Sequence, residues 1–429
     1  MRYLVIGGAR SGVGASIYLK KRNFDVVLVE SKTIKPQYKE VLSSNLIPFY
    51  ENTSSYPLDE IDWIVPSPGV PLDIPLILQA RQQQIPILSE VDLALQNYPG
   101  KLITVTGTNG KSTVSAMIYH ILNKLDSSTL LGGNFEIPPT ELFWEERVKQ
   151  NTKYLVLEIS SYQSESSSFN ADAAVFTSFS EDHLKRHKTM FNYFMAKWKM
   201  IENLKPKALL LLSQHVLDFA NENNIKLPSH IEYKIIEELG SSILVPKELS
   251  FSPIDTVNAK TSTAICSFIT GKDPCDLIKN LTNFKTLEHR LEYIRTYKNI
   301  KIINDSKSTN CDTVLTAINN YPRSILMLGG ECKKEDFSPL LKFQDSIDLI
   351  IFFGQDRSYL KDNLISSGYS GKYLEFSTLK DALIVDNLKR ILDNSTSSYL
   401  LFSPGCASFD EFENFERRGK FFKEEVSKL

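Results

Sequence analysis

The chain has 429 residues, more than one hydrophobic core usually serves, so a division into domains is expected. Apolar residues make up 42% and charged residues 23%, the balance of an ordinary globular protein and not of a disordered or fibrous one. A formal net charge of -2 offers no bulk attraction to nucleic acid or acidic lipid, which leaves at most a local basic cleft.

The N-terminal MRYLVIGGARSG has one arginine before a short apolar run that reaches glycines at once, so it reads as a first strand and not as a signal peptide. After YLVIGG the pattern predicts a helix over 14–20, then a strand over 25–29 ending at Glu30. Strand, glycine turn, helix, strand and acid is the order of a Rossmann-like unit. The glycines of GGARSGVG fall out of the GxGxxG register, so a dinucleotide and a nucleotide or nucleotide-sugar both stay open as ligands. DWIVPSPGVP predicts a strand over 62–65 ending in a Pro/Gly turn, where open parallel sheets line a ligand crevice. A boundary is expected at NYPGK, 97–101, followed by a strand over 102–105, a helix over 112–122 and strands over 154–157, 173–177 and 208–212. A second boundary falls near EHRLEYI, 288–294. Beyond it IKIINDS, SILMLGG, DLIIFFG and SYLLFSPG predict four strands with helical runs between them. Three α/β domains in tandem are expected, over 1–95, 96–290 and 291–429.

No apolar stretch approaches the roughly 18 residues of a spanning helix, and the cytoplasm is the expected location. The cysteines at 266, 275, 311, 332 and 406 are widely spaced with no CxxC pair, neither a disulfide framework nor a zinc knuckle.

The chemistry concentrates in GTNGKST. Gly107 and Gly110 allow a sharp turn that faces successive N–H groups to one point. Lys111 adds a mobile cation, and the helix that follows adds its N-terminal dipole. Ser112 or Thr113 can place a hydroxyl on magnesium, so ATP or GTP fits; the plainer alternative is a glycine turn with a capping serine. Glu158 ends the strand YLVL, where a carboxylate reaches over the sheet edge or is simply solvated. His183 follows the strand AAVFTSF with Asp182 beside it and His187 one turn on, a metal ligand or a surface histidine. Lys197, with Lys199 close by, reads on its own as a solvated helix residue.

Together TGTNGKST (106–113), GGN (132–134), EISSYQ (158–163), EDHLKRH (181–187), AK (196–197), HRLE (289–292), NDSKSTN (304–310) and SPGCASFDEFENFERRG (403–419) resemble the Mur ligase family. The blocks stand in family order and span nearly the whole chain. The resemblance implies an α/β, three-domain Mur ligase architecture: a Rossmann-like N-terminal domain for a UDP-linked substrate, a central P-loop ATPase-like domain and a C-terminal Rossmann-like α/β domain. It implies an ATP-dependent ligase of peptidoglycan biosynthesis that joins D-glutamate to UDP-N-acetylmuramoyl-L-alanine through an acyl phosphate. Small molecules are then the expected partners of a monomer, with no nucleic acid and no membrane insertion.

The same resemblance assigns roles. Lys111, Glu158, His183 and Lys197 are the expected catalytic residues. ATP is expected at Gly107, Thr108, Asn109, Gly110, Lys111, Ser112 and Thr113, with Asn258, His289, Arg290 and Asp305. Two magnesium ions, or manganese in their place, are expected on Ser112, Thr113, Glu158, His183 and Lys197, the last as a carbamate that turns a cation into an anion. Ser11, Gly12, Glu30, Ser31, Ser67, Pro68, Gly69 and Asn134 align with the UDP-substrate site. Lys307, Thr309, Lys333, Ser408, Phe409 and Phe415 match positions around the acceptor, whose carboxylates require cations and hydroxyls when buried. Three segments depart from the family pattern: GGNFE puts Glu136 where glycine is usual, Ser178 precedes SEDH, and IDTVNA keeps only Asn258 and Ala259. The rivals are a related Mur or folylpolyglutamate-type ligase with another donor or acceptor, and a catalytically silent nucleotide-binding regulatory module. A dehydrogenase is disfavoured, because nothing resembles a hydride-transfer centre.

Overall fold

The computed structural model describes every residue except 135, 136, 242, 247, 248, 250 and 286, so Glu136 lies outside the described residues. The chain divides into two compact units, Met1–Phe251 with Asp255–Phe284, and Ser252–Ile254 with Lys285–Leu429.

Two sheets build the first unit. β1 (Arg2–Ile6), β2 (Asp25–Glu30), β3 (Phe49–Glu51) and β4 (Trp63–Pro66) form a parallel sheet in the order β3-β2-β1-β4. β5 (Lys101–Thr106), β6 (Leu130–Gly133), β7 (Tyr154–Glu158), β8 (Ala173–Phe176), β9 (Leu209–Leu212) and β10 (Glu232–Ile235) form a second, all-parallel sheet in the order β10-β9-β8-β5-β7-β6. The second unit holds β11 (Glu292–Tyr297), β12 (Ile300–Asn304), β13 (Ser324–Gly329), β14 (Ile347–Phe353), β15 (Tyr373–Glu375) and β16 (Tyr399–Gly405), in the order β11-β12-β16-β13-β14-β15. Only β11 in this sheet runs antiparallel. Central strands such as Leu209–Leu212 are buried at every residue, as expected where helices cover both faces of a parallel sheet. Among the described residues no helix is long and apolar enough to cross a membrane.

The helix expected from Gly14 starts at Arg10, with Val13 N–H bonding the Ala9 carbonyl at 3.0 Å in its first turn. A Cβ at position 12 would lie 1.9 Å from the Gly7 carbonyl oxygen, so glycine alone lets this helix begin so tightly against β1. β3, β6, β10, β11 and β15 were not expected, and each lies at the edge of its sheet.

In the first unit, polar contacts fasten the two sheets through their helices and loops. Arg10 makes two bonds of 2.9 Å to the Glu141 carboxylate, and the Trp144 indole donates to the Gly14 carbonyl at 3.2 Å. The buried Lys149 ammonium donates to Tyr18 Oη at 3.1 Å and to the Gln96 carbonyl. Burial pulls its pKa down to about 8.

Glu90, which opens the helix Glu90–Leu95, is fully buried. Its Oε1 accepts from the Thr140 N–H at 2.7 Å and the Thr140 hydroxyl at 2.6 Å, while its Oε2 has no hydrogen-bond partner. Burial pushes its pKa up to about 7 against the lowering effect of Thr140, with Glu141 adding repulsion. The folded protein therefore binds more protons here than the unfolded chain between about pH 4.5 and about pH 7. This contribution is fully present below that window, falls as pH rises through it and is gone above. Denaturant titrations of wild type and Glu90→Gln should diverge between pH 5 and pH 8, wild type losing on the order of 2–3 kcal/mol relative to the variant. Parallel pH profiles would rule the effect out.

Candidate functional site

β5 runs into a turn at Gly107 (φ +145°) and Gly110 (φ +84°), after which the helix Lys111–Leu125 begins. A Cβ at position 107 would meet Thr177 Oγ1 at 2.1 Å, so the loop approaches the end of β8 as only glycine permits. That neighbour holds the loop from outside. Thr177 Oγ1 donates to the Asn109 carbonyl at 2.5 Å, Ser178 Oγ accepts from the Asn109 N–H at 2.9 Å, and the Thr108 N–H reaches the Ser178 carbonyl at 2.8 Å. Ser178, at a position that departs from the family pattern, is thus a support of the loop. Thr113 lies in the first turn of the helix, and Asn258 Oδ1 lies 3.8 Å from a Cβ built at Gly110, which puts Asn258 beside the loop. Lys111 Nζ donates to the Thr108 carbonyl at 2.8 Å.

Glu158 is the last residue of β7, paired with Val105 on one side and Gly133 on the other. The Ser112 hydroxyl donates to its Oε2, and Asn134 Nδ2 donates to its Oε1 at 2.7 Å. Asn134, aligned with the UDP-substrate site, is therefore fastened to the carboxylate beside the phosphate loop. Lys197 is not solvated: it is 2% exposed, and its Nζ donates to the Gly107 carbonyl at 2.6 Å. Burial first, and then the Lys111 charge, holds its pKa well below the usual lysine range, while Asp182 and Glu158 pull the other way. His183 sits at φ +55° ahead of a short helix, with its Nδ1 3.1 Å from Tyr162 Oη and its Nε2 3.4 Å from Asp182 Oδ2. His187, by contrast, is buried against Ser161, its Nε2 3.0 Å from that hydroxyl.

Among the described residues no three His, Cys, Asp or Glu side chains form a metal-holding group. The groups that do meet, the Ser112 hydroxyl and the Glu158 carboxylate, are hard oxygen donors, the chemistry that suits magnesium or manganese.

On the first sheet, the Glu30 carboxylate takes the Gly8 N–H at 2.7 Å, the Lys32 N–H at 2.9 Å and the Ser31 hydroxyl at 3.1 Å. Burial alone would raise its pKa, but these donors hold it below the usual range. Ser67 and Gly12 close on Gly7 from two sides: Ser67 Oγ donates to the Gly7 carbonyl at 3.3 Å, and a Cβ at either Gly7 or Gly12 would clash with Ser67 Oγ. Ser11 lies in the first turn of the adjoining helix. Pro68 and Gly69 form the turn closed by the Val70 N–H on the Ser67 carbonyl at 2.9 Å. These residues share one end of the sheet, at the C-termini of β1, β2 and β4.

In the second unit, Asp305 follows β12. Its Oδ2 accepts from Ser403 Oγ at 2.8 Å and its Oδ1 from the Leu291 N–H at 3.2 Å, and burial pushes its pKa up to about 7. His289 is buried with its Nδ1 2.9 Å from Asn304 Nδ2, and its carbonyl accepts the Lys307 N–H at 3.0 Å, which ties the segment of His289 and Arg290 to the segment of Asp305 and Lys307. The Lys307 ammonium stands 3.8 Å above the Phe415 ring, and Thr309 lies just ahead of the helix Cys311–Asn320. Lys333 and Phe409 are exposed on loops after β13 and β16, whereas Ser408 is buried. Arg418, 1% exposed, holds these loops: it donates to the Ser306 carbonyl at 2.8 Å, the Cys406 carbonyl at 3.0 Å and the Ala407 carbonyl at 3.1 Å. Burial lowers its pKa to about 10. Arg418→Met would keep much of the volume and take the guanidinium from the Ser306 and Cys406 carbonyls, while the Ala407 carbonyl would keep the Glu331 N–H. We expect a loss on the order of 3 kcal/mol in the unfolding of the second unit, read by differential denaturation. A loss below about 1 kcal/mol would refute this account.

Several site residues were not singled out in the sequence. Tyr193 Oη lies 3.3 Å from Thr108 Oγ1, and its ring is 4.8 Å from Lys197 Nζ. Its spacing of four residues from Lys197 on the helix Met190–Glu202 is the signal that places both on one face. Thr177 and Arg418 carried no comparable mark.

Comparison with known proteins agrees with this geometry. The profile described as Mur ligase middle domain matches residues 105–243, and that described as the MurD-like N-terminal domain of Mur ligases matches residues 1–89. The chain is 32% identical to a protein of Leptospira borgpetersenii serovar Hardjo-bovis named UDP-N-acetylmuramoylalanine--D-glutamate ligase, over 98% of this chain and 95% of that one. It is 31% identical to a protein of the same name from Hydrogenobaculum sp., over 100% and 99% of the two chains. Among solved structures it is similar in fold to MurF from Acinetobacter baumannii (TM-score 0.60, 16% identity, 96% and 92% covered). MurF from Thermotoga maritima, solved in complex with ADP, is similar at a TM-score of 0.58 and 16% identity, with 94% and 95% covered.

Proposed function

The chain belongs to the Mur ligase family, and from that premise we propose how its residues carry out the ATP-dependent joining of D-glutamate to UDP-N-acetylmuramoyl-L-alanine in peptidoglycan synthesis. The observation that carries the reading is the phosphate loop whose first helical serine bonds Glu158 and whose Gly107 carbonyl is held by a buried Lys197.

The donor's L-alanine carboxylate attacks the γ-phosphorus of ATP, giving an acyl phosphate and ADP. The amine of D-glutamate then attacks the acyl carbon; a tetrahedral intermediate collapses, phosphate leaves, and the amine loses its proton. Joining two charged groups this way demands positioning and charge compensation above all. Lys111 and the loop of Gly107, Thr108, Asn109, Gly110, Ser112 and Thr113 hold the phosphates, with the Thr108 and Asn109 N–H groups taken by Ser178 and those at the start of the helix turned to the ligand, and Asn258 lines the same loop. Ser112, Thr113, Glu158, His183 and Lys197 as its carbamate are the residues we assign to two magnesium ions. When bound, these ions neutralise charge on the transferring phosphoryl group. The depressed pKa of Lys197 supports carbamylation, because only the neutral amine attacks CO2, forming an N–C bond and releasing one proton.

We further assign residues 1–95 to the UDP-linked donor, 96–290 to ATP and 291–429 to the acceptor. Ser11, Gly12, Ser67, Pro68 and Gly69 contact the donor; Glu30 and Ser31 shape its glycine loop. Asn134 orients the Glu158 carboxylate at the muramoyl end. Nucleotide contact is proposed for His289, Arg290 and Asp305. For the acceptor, Lys307 and Lys333 supply the cations that a dicarboxylate needs, with Thr309, Ser408, Phe409 and Phe415 around it. The reliance on ATP supports a cytoplasmic location, and we assign the chain as a monomer working on small molecules.

Phosphate release from ATP and magnesium with UDP-N-acetylmuramoyl-L-alanine tests the reading, comparing D-glutamate, L-glutamate, L-lysine and meso-diaminopimelate. Release that depends on D-glutamate, with the amide product identified by mass, is expected. Release with another acceptor alone would move the chain to another Mur specificity, and nucleotide binding without acceptor-dependent release would indicate a silent regulatory module.

A further inference from the structure

Two of the widely spaced cysteines come together in the second unit. Cys332 follows the Gly329-Gly330 end of β13, and Cys406 follows Gly405 within the loop that leaves β16. The loops are joined by one antiparallel bridge, in which the Glu331 N–H bonds the Ala407 carbonyl at 2.9 Å and the Ala407 N–H bonds the Glu331 carbonyl at 3.0 Å. Next to such a doubly bonded pair, the facing residues on one side are 332 and 406. Their expected Cα separation of about 4.5 Å lies within the disulfide range of about 4.4–6.8 Å. The two thiols are neighbours, as the backbone implies: each shifts the other's pKa, Cys332 downward and Cys406 upward, and the Lys334 N–H donates to the Cys332 sulfur at 3.3 Å. Cys406 is wholly enclosed, whereas Cys332 keeps 7% of its surface open, next to the exposed Lys333.

We propose that Cys332 and Cys406 are a redox-modification site, closing to an intramolecular disulfide by exchange with a low-molecular-weight disulfide and thereby weakening acceptor capture. The first half concerns the two sulfurs alone; the second rests on the reading that Lys333 and Ser408 hold D-glutamate. The Cys332 thiolate attacks one sulfur of the small disulfide and expels one thiolate, leaving a mixed disulfide. Cys406, deprotonated, then attacks Cys332 Sγ and expels the second thiolate. The two protein thiols lose two electrons and two protons, and the small disulfide becomes two thiols. The neighbouring Cys406 thiol and the Lys334 N–H, working against burial, draw the Cys332 thiol below its usual pKa and make it the attacking sulfur.

Closure pulls two neighbouring sulfurs to a bond of about 2 Å. Arg418 grips the carbonyls of Cys406 and Ala407, so the β16 side is anchored and the displacement falls on residues 331–334. Lys333 moves with them, and a misplacement of about 1 Å at a binding group is worth up to about 10²-fold.

The test treats the full-length enzyme with oxidised glutathione in native buffer, then blocks free thiols in denaturant and maps peptides by mass. The expected result is a peptide linking Cys332 to Cys406 that dithiothreitol abolishes and Cys332→Ser lacks. It should accompany a rise of about tenfold or more in the KM for D-glutamate of the linked enzyme, while Cys332→Ser and Cys406→Ala keep an activity insensitive to the oxidant. Recovery of both thiols in blocked form while the exposed Cys275 has become glutathionylated would overturn the proposal, as would a linked enzyme with unchanged KM. Should the reduced enzyme ignore D-glutamate, the assignment of the acceptor fails, and the peptide map still decides the sulfur chemistry.

Discussion

Lys197→Met should leave the fold intact and lower kcat by about 10²–10³-fold, the scale of losing one preorganised electrostatic contact in an active site. Methionine fills nearly the same buried volume, so a stability loss cannot explain the deficit; removing an enclosed amine also removes a desolvation penalty. What is forfeited is the bond to the Gly107 carbonyl, worth about 1 kcal/mol, and the contact of the ammonium with the Tyr193 ring. Lys197→Arg should be as poor as methionine, because a guanidinium stays cationic and does not take up CO2 at neutral pH. Steady-state phosphate release measures the rates, and 13C NMR after labelling with bicarbonate reads the carbamate carbon directly. An arginine variant within a few-fold of wild type, or no carbamate signal in active enzyme, would dismiss the modified lysine.

A second large effect is expected at Lys111. Lys111→Ala removes a side-chain cation from the glycine turn, where negative charge gathers during phosphoryl transfer, and kcat/KM for ATP should fall by about 10³-fold or more. The loop itself should persist, since Thr177, Ser178 and the N-terminal turn of Lys111–Leu125 hold it. Calorimetric titration with ADP separates the two contributions: binding weakened far less than turnover indicates a cation that acts mainly on the transition state. A variant within tenfold of wild type in kcat/KM would mean that the phosphates lie elsewhere.

The interior of the fold was legible because both-face burial writes itself as unbroken apolar runs, of which Leu209–Leu212 is the plainest. The edges were not. Glu232–Ile235 has three exposed residues out of four, and Phe49–Glu51 and Tyr373–Glu375 are too short to show a period. Pairing with a neighbour makes these segments strands, and a neighbour is not a local property. At the site, the glycine and lysine spacing of the phosphate loop is a local signal, and so is a carboxylate at a strand end. The burial of Lys197 is not: in sequence it looks like Lys199, and only the packing of the helix Met190–Glu202 against the loop separates them. The cysteines mislead in the same way, since the intervals between 332 and 406 say nothing until two loops are drawn together by a single bridge.

The fastening of the first two sheets bears on how such enzymes can be recombined. Transplanting residues 1–95 from a relative would replace Tyr18 and Glu90 while retaining Lys149 and Thr140, which meet them from the far side of the graft. A donor lacking a phenol or a carboxylate at those places would leave the enclosed ammonium ion its bond to the Gln96 carbonyl but not its phenol, and the enclosed Thr140 hydroxyl without its carboxylate, so a crossover near residue 95 keeps these contacts only when the positions opposite residues 140 and 149 travel with it. For this chain the piece that can be exchanged as a cassette is therefore larger than its first sheet, and it ends beyond Lys149.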